Sequence, residues 1–227
     1  MHPVEFLPWS AQHWLGLALS LGPALALVWA VRRSGSPRLD LAVRRTLAAA
    51  CLTSQAFLLI WWWRLGARLA NLLPLHICDA AILLAPVVLL TRQWLCYELL
   101  YFWGFAGATL ALLMPNVTRG FPALYCICFF ALHGLIVASA LYATAVMRLR
   151  PAPRSLLRAW LITNAYALIL IPINLALDTN YMFLLRKPAA PSLLDLMGPW
   201  PWYIVSGSLL GLVLMALCYL PVHLLRR

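Results

Sequence analysis

The chain has 227 residues, of which 64% are hydrophobic and 10% charged, and its net charge is +11. A soluble domain runs at about 45–50% apolar and about 25% charged, so this composition excludes a soluble globular enzyme, a disordered chain and a nucleic-acid-binding module. With a mean hydropathy of +0.87, about 145 apolar residues are enough for about seven membrane-crossing helices of about 20 residues each, with no room for a soluble appendage.

The apolar runs predict an all-α polytopic membrane protein, a bundle of seven transmembrane helices forming a single integral membrane domain over residues 1–227. The spans are expected at about residues 11–31, 46–63, 74–90, 95–114, 121–147, 156–177 and 201–225. Short connections carry the Gly, Pro and Arg residues that punctuate helices. The 17 basic residues sort by loop. Arg32, Arg33, Arg38, Arg44, Arg45, Arg92, Arg148, Arg150, Arg154, Arg158, Arg226 and Arg227 fall in alternate segments, and Arg64, Arg68, Arg119, Arg186 and Lys187 in the others. That division, 12 against 5, places the N-terminus outside and the C-terminus in the cytoplasm, in the cell inner (plasma) membrane. Trp61, Trp62 and Trp63, with Trp200, Trp202 and Tyr203, then lie at the outer interface. Residues 1–12 hold no Lys or Arg and Arg32-Arg33 follow the first span. A cleaved signal peptide has the opposite charge order, so the span is read as retained.

Polar groups inside such spans are functional candidates, because hydrocarbon makes them expensive. They are Gln55 in span two; His76, Cys78 and Asp79 at the head of span three; Glu98 in span four; His133 in span five; Asn164 and Asn174 in span six, followed by Asp178, Asn180 and Tyr181. With this orientation Cys78, Asp79, His133, Asn174, Asn180 and Tyr181 are expected to line one pocket in the outer half of the membrane. Asn174, Asp178 and Tyr181 share a face if the helix runs that far. Cys78 and His133 have two readings. As nucleophile and base they suit acyl transfer through a thioester, with Asp79 or His76 orienting the histidine or holding a headgroup. As packing residues they are a small core thiol and an interhelical bridge, which spacing alone favours. Counted along straight spans, Cys78 lies about 6 Å and His133 about 18 Å from the outer ends. They meet only if span three starts below the surface or span five protrudes or tilts. Glu98 reads as a cytoplasmic-edge ion pair with Arg92 or Arg158. Cys126 and Cys128 face opposite sides of their helix and read as packing. No metal site and no cofactor is expected, and nothing in the pattern specifies an oligomeric state.

The segment Leu73-Pro74-Leu75-His76-Ile77-Cys78-Asp79 resembles the YwaF-like bacterial integral membrane proteins. The resemblance continues through Tyr97-Glu98-Leu99-Leu100-Tyr101-Phe102-Trp103-Gly104, Leu132-His133-Gly134, Asn174 and Thr179-Asn180-Tyr181-Met182. It closes with Pro191-Ser192-Leu193-Leu194-Asp195 and Gly198-Pro199-Trp200-Pro201-Trp202-Tyr203, and so covers nearly the whole chain. That family is similar to eukaryotic transmembrane protein 164, an acyltransferase acting on lyso ether phospholipids. The resemblance implies Cys78 as the nucleophile and His133 as the base; His76, Asp79, Asn174, Asn180 and Tyr181 are expected around the substrate from their polarity within the apolar spans. Membrane lipids are then both environment and substrate, for acyl transfer or hydrolysis.

A transporter is the alternative reading, but no internal repeat appears and seven spans do not divide into equal halves. A non-catalytic membrane protein remains the third reading. A retinal-type receptor is excluded, since the only lysine, Lys187, sits in a loop.

Overall fold

The computed structural model describes residues 5–188 and 192–224. Pro191 of the motif above, the last residue of the seventh expected span, and the basic Arg226 and Arg227 lie outside the described residues. Every regular element among these residues is helical; one isolated bridge joins Glu5 and Arg119.

Helix α1 runs over Ala11–Ser34 and ends on Gly35, whose φ of 60° is the left-handed conformation that glycine adopts without strain. Helix α2, Pro37–Arg64, begins well before the expected residue 46. Ser36 accepts a hydrogen bond from the Leu39 amide at 3.3 Å and Pro37 fills the first turn, the capping chemistry that starts a helix inside a basic loop. A short helix α3, Leu69–Leu72, precedes α4, Ile77–Thr91. Helix α5, Trp94–Phe102, passes through a π-helical turn, Trp103–Ala108, into α6, Thr109–Leu113. Then follow α7 (Leu124–Ala145), α8 (Pro153–Leu177) and α9 (Trp202–Leu224). Two short 3-10 turns, Tyr181–Phe183 and Leu193–Met197, sit between α8 and α9.

Among the described residues six helices are long and apolar enough to cross a membrane: Ala11–Ser34, Pro37–Arg64, Trp94–Leu113, Leu124–Ala145, Pro153–Leu177 and Trp202–Leu224. The remaining expected span is only the 15 residues of α4. At 1.5 Å per residue it is about 22 Å long, against a hydrocarbon core of about 30 Å.

Helices α4, α5 and α7 form the centre, where Tyr97, Leu100, Phe102, Ile136 and Tyr142 are fully buried. Helix α1 packs on α7, α2 on α4, and α8 on α5 and α9. The α1–α7 approach is close because Gly134 faces Ser20: a methyl at Gly134 would lie 2.9 Å from the Ser20 Cβ. The Ser20 hydroxyl donates to the Phe130 carbonyl at 2.9 Å. Small residues at helix contacts of this kind are how membrane helices approach each other.

The loops sort to two ends. At one end Arg44 donates to the Leu89 carbonyl at 2.5 Å, Arg92 to the Met147 carbonyl at 2.6 Å, and Tyr142 to Asp40 at 2.6 Å. Glu98, 1% exposed, accepts from Trp94 at 2.7 Å and Ser155 at 2.5 Å and pairs with Arg158 at 3.1 Å. The arginines here do more than mark a side: Arg44 binds a terminal carbonyl of α4, which has no helical partner, and Arg92 binds the carbonyl of Met147, just past the end of α7. At the other end Phe6 bonds to the Thr118 carbonyl, and Arg68 pairs with Asp178 at 3.4 Å.

Helix α8 stops at Leu177, because Asp178 takes a φ of 49° in the left-handed region. The expected shared face of Asn174, Asp178 and Tyr181 therefore does not form. Instead the buried Asn174 amide clamps the turn. Its Oδ1 accepts from the Thr179 hydroxyl at 2.9 Å and the Tyr181 amide at 2.8 Å, and its Nδ2 donates to the Tyr181 carbonyl at 3.1 Å. Asn174→Ala leaves those three groups without this partner, at about 1–3 kcal/mol for each buried group left unpaired. The purified variant is expected to unfold several degrees below the wild type in a thermal melt; an identical melt would remove the clamp from the account.

Candidate functional site

Helix α4 starts where it does because the chain is extended through His76 (φ −67°, ψ 151°) and Asp79, in the first turn, accepts the His76 amide at 3.1 Å. That carboxylate–amide bond is one half of a capping box. The first backbone bond of the helix runs from the Ala80 amide to the His76 carbonyl at 3.0 Å. The amides of Ile77, Cys78 and Asp79 precede it, and so stand at the positive end of the helix dipole. Cys78 thus occupies the first turn of a fifteen-residue helix.

The head of α4 is held from several sides. Tyr166 of α8 donates to the Leu75 carbonyl at 2.9 Å. The Met182 amide donates to His76 Nδ1 at 3.3 Å, and the Tyr181 ring stands edge-on to His76 with centroids 5.1 Å apart. The Tyr181 hydroxyl in turn bonds to the Ala70 carbonyl. Gln55 of α2 donates through Nε2 to Asp79 Oδ1 at 3.3 Å. Gln55 is 4% exposed, and its Oε1 is buried with no hydrogen-bond partner. The opposite amide orientation would turn that oxygen against the Asp79 carboxylate.

His133 projects from the middle of α7. Its Nδ1 lies 2.8 Å from the Phe129 carbonyl, one turn back, and its ring stacks on Phe129 with centroids 4.2 Å apart. A carbonyl only accepts, so Nδ1 carries the proton and Nε2 holds the free lone pair. No hydrogen bond occupies Nε2 among the described residues.

A cavity of about 670 Å³ joins these parts, within the roughly 300–1,000 Å³ typical of small-molecule sites. Gln55, His76, Cys78, Asp79 and His133 all line it. Phe102, Trp103, Ala106 and Leu110 of the α5–α6 helix, and Leu210, Leu214 and Met215 of α9, supply an apolar wall. Cys78 and His133 share this cavity, and no hydrogen bond joins thiol to imidazole. Their meeting does not follow from straight-span depth. It arises because α4 begins only at Ile77, after a segment that already carries Asn71 and Pro74 on the cavity wall.

The other expected site residues divide. Asp79 does not orient His133, because its carboxylate holds the head of α4 and Gln55. Asn174, Asn180 and Tyr181 lie outside the cavity wall, a correction to the expected single pocket. Their polar groups are taken up within the fold: Asn180 Oδ1 accepts from the Leu185 and Arg186 amides at 3.0 and 3.1 Å, and its Nδ2 donates to the Arg186 carbonyl at 2.8 Å. They shape the loop that seats His76. Cys128, expected as packing alone, lines the cavity, as do Asn71, Asn116 and Tyr125, which sequence reasoning did not place there. Asn71 and Asn116 lie outside the long helices, where hydropathy has no periodicity to report. The six cysteines are all free, and no cluster of three metal-ligating side chains occurs among the described residues.

No solved structure matches the chain. A protein of Treponema pallidum (strain Nichols), described as an uncharacterized protein, is 32% identical over 159 residues, which make up 69% of this chain and 64% of that one. The chain thus spans a little under two thirds of the length of that relative. A sequence model of the TMEM164 family matches residues 8–219, a stretch that holds the whole cavity and both Cys78 and His133. The chain belongs to the TMEM164 family.

Proposed function

We propose that the protein is a membrane-embedded lipid acyltransferase in which Cys78 is the nucleophile and His133 the general base. The observation that carries this reading is the shared cavity: a thiol in the first turn of a helix and an imidazole with a free Nε2 open onto one largely apolar chamber. In the first step the Cys78 sulfur attacks an acyl ester of a donor phospholipid. The acyl C–O bond breaks, the lysolipid oxygen leaves with the proton that His133 took from the thiol, and the acyl group rests on sulfur. In the second step a lysolipid hydroxyl gives its proton to His133 and its oxygen attacks the thioester carbonyl; the C–S bond breaks and the Cys78 sulfur takes that proton back. The amides at the head of α4 suit the oxyanion of each tetrahedral intermediate. The resemblance to eukaryotic transmembrane protein 164 supports the same assignment. Hydrolysis is the same sequence with water in the second step.

The test is purified protein in liposomes with a labelled donor phospholipid and an unlabelled lysophospholipid. The expected result is label on the acceptor and an acyl adduct on the peptide bearing Cys78 in mass spectrometry. Release of free fatty acid alone makes the protein a hydrolase. Neither product, with any ester or thioester donor, rejects the reading.

We also propose seven crossings, with α4 and the segment before it as the third, and the N-terminus outside the plasma membrane. The support is the sorting of loops to two ends, with the arginine-rich set together. Thr118→Cys in intact cells is expected to react with an impermeant maleimide, and Ser36→Cys only after permeabilisation. Reaction of both from one side would overturn this topology.

A further inference from the structure

The far wall of the cavity contains glycine where a membrane helix ordinarily carries a larger apolar residue. Gly107, in the π turn, and Gly211, on α9, both line the cavity, and a methyl group on either would meet nothing within 4 Å. Gly207, one turn earlier on α9, would reach only ordinary contact, 3.8 Å from Leu194 and 3.9 Å from Met197. Glycines that serve close helix packing behave otherwise here: at Gly16 the added methyl would sit 2.7 Å from the Phe130 ring. Glycine weakens a helix interior relative to alanine, and at Gly107 and Gly211 no neighbouring atom requires its absence of side chain. These positions keep a volume open.

A second observation points to an occupant. Gln55, 4% exposed and on the same cavity wall, has an Oε1 with no partner. A buried acceptor left unpaired beside an apolar chamber is unusual; closed off from the cavity as it stands, it pairs with a ligand hydroxyl at the polar head of the chamber once the Gln55 side chain turns toward it. A ligand with a hydroxyl or ester at that head and a hydrocarbon tail against the glycines answers both features.

We propose that Gly107, Gly207 and Gly211 line a channel for one fatty acyl chain, and that the room at Gly107 and Gly211 sets the longest chain it takes. This rests on the acyltransferase reading for the identity of the ligand. The selection is steric. A chain that leaves a bilayer or micelle is already in an apolar medium, so each added methylene gains little until the channel is full and then has to overpack it.

The experiment reads binding, apart from chemistry. Cys78→Ala protein in detergent is mixed with an equimolar series of saturated lysophosphatidylcholines from decanoyl to stearoyl, and the retained lipids are read by native mass spectrometry. The expected profile has an upper length limit. Adding Gly107→Leu or Gly211→Leu should lower that limit and weaken the longest retained chain against the shortest by roughly 5- to 150-fold, the factor to which an overpacking cost of about 1–3 kcal/mol converts. Gly22→Leu, on the exposed face of α1 with open space around it, should leave the profile unchanged. If a leucine variant fails to fold, Gly107→Ala and Gly211→Ala give the same readout with a smaller shift. A profile that the cavity variants leave unchanged, or that falls equally for all chain lengths, overturns the proposal. A length limit in a wild-type protein without transferase activity keeps the channel and removes the catalytic reading; transfer without a length limit does the reverse.

Discussion

Cys78→Ala is expected to abolish acyl transfer to a lysophospholipid in liposomes, a loss of about a thousandfold or more, while the thermal melt stays close to that of the wild type. The size of the loss follows from the covalent route, which has no substitute once the sulfur is gone. The melt follows from what Cys78 touches. Its thiol makes no hydrogen bond among the described residues, and the turn that carries it is fixed by other groups: the Asp79 carboxylate on the His76 amide, the Gln55 amide on Asp79, and the Tyr166 hydroxyl on the Leu75 carbonyl. Alanine keeps the backbone and most of the packing. Three other cysteines separate nucleophile from bystander. Cys126 is fully buried, Cys218 is half-buried on α9, and Cys128 lines the cavity; alanine at any of them should retain transfer. Cys78→Ala with full activity, or loss of activity at Cys128→Ala but not at Cys78→Ala, would move the nucleophile.

His133→Gln is expected to lower transfer by about 10²–10⁴-fold, the usual contribution of a positioned acid–base group, with little change in the melt. The Nδ1 hydrogen bond does not complete the Phe129 carbonyl, which already accepts the His133 amide in the regular bonding of α7. Removing the imidazole therefore leaves no backbone group orphaned. What the bond does is fix the tautomer and the ring plane, so that Nε2 is the atom facing the reaction. A variant that melts far below the wild type would make His133 a structural residue, and one that keeps full transfer would remove it as the base.

Composition and the positive residues were enough to read a helical membrane bundle and to sort its loops, because both depend on averages over twenty residues at a time. The head of α4 was legible for a different reason: His76, Cys78 and Asp79 are polar residues in an apolar context, and that contrast survives without any knowledge of packing. Gln55 stood out in the same way, but its bond to Asp79 connects residues far apart in sequence and no pattern announces it. Asn174, Asn180 and Tyr181 were conspicuous for their polarity, yet polarity does not distinguish a side chain that binds a ligand from one that folds a loop. The left-handed turn at Asp178 decided the matter by ending α8. The shortness of α4 was hidden because Leu69, Leu72, Leu73 and Leu75 are as apolar as a span, and hydropathy does not separate an irregular stretch from a helix.

The π turn at Trp103–Ala108 gives this bundle an unequal tolerance to changes of length. In a regular helix the loss of one residue rotates everything beyond it by about 100°, which would swing a cavity-lining face into lipid. A π turn is a helix that already carries one residue more than regular bonding needs. Loss of a single residue within 103–108 returns the segment to ordinary i to i−4 bonding and leaves α5 and α6 facing as they do now, with Leu112 still in the core and Leu110 still on the wall. Relatives of this chain that differ by one residue in this helix can therefore keep the same register on both sides of it, and the gap belongs in an alignment at this turn.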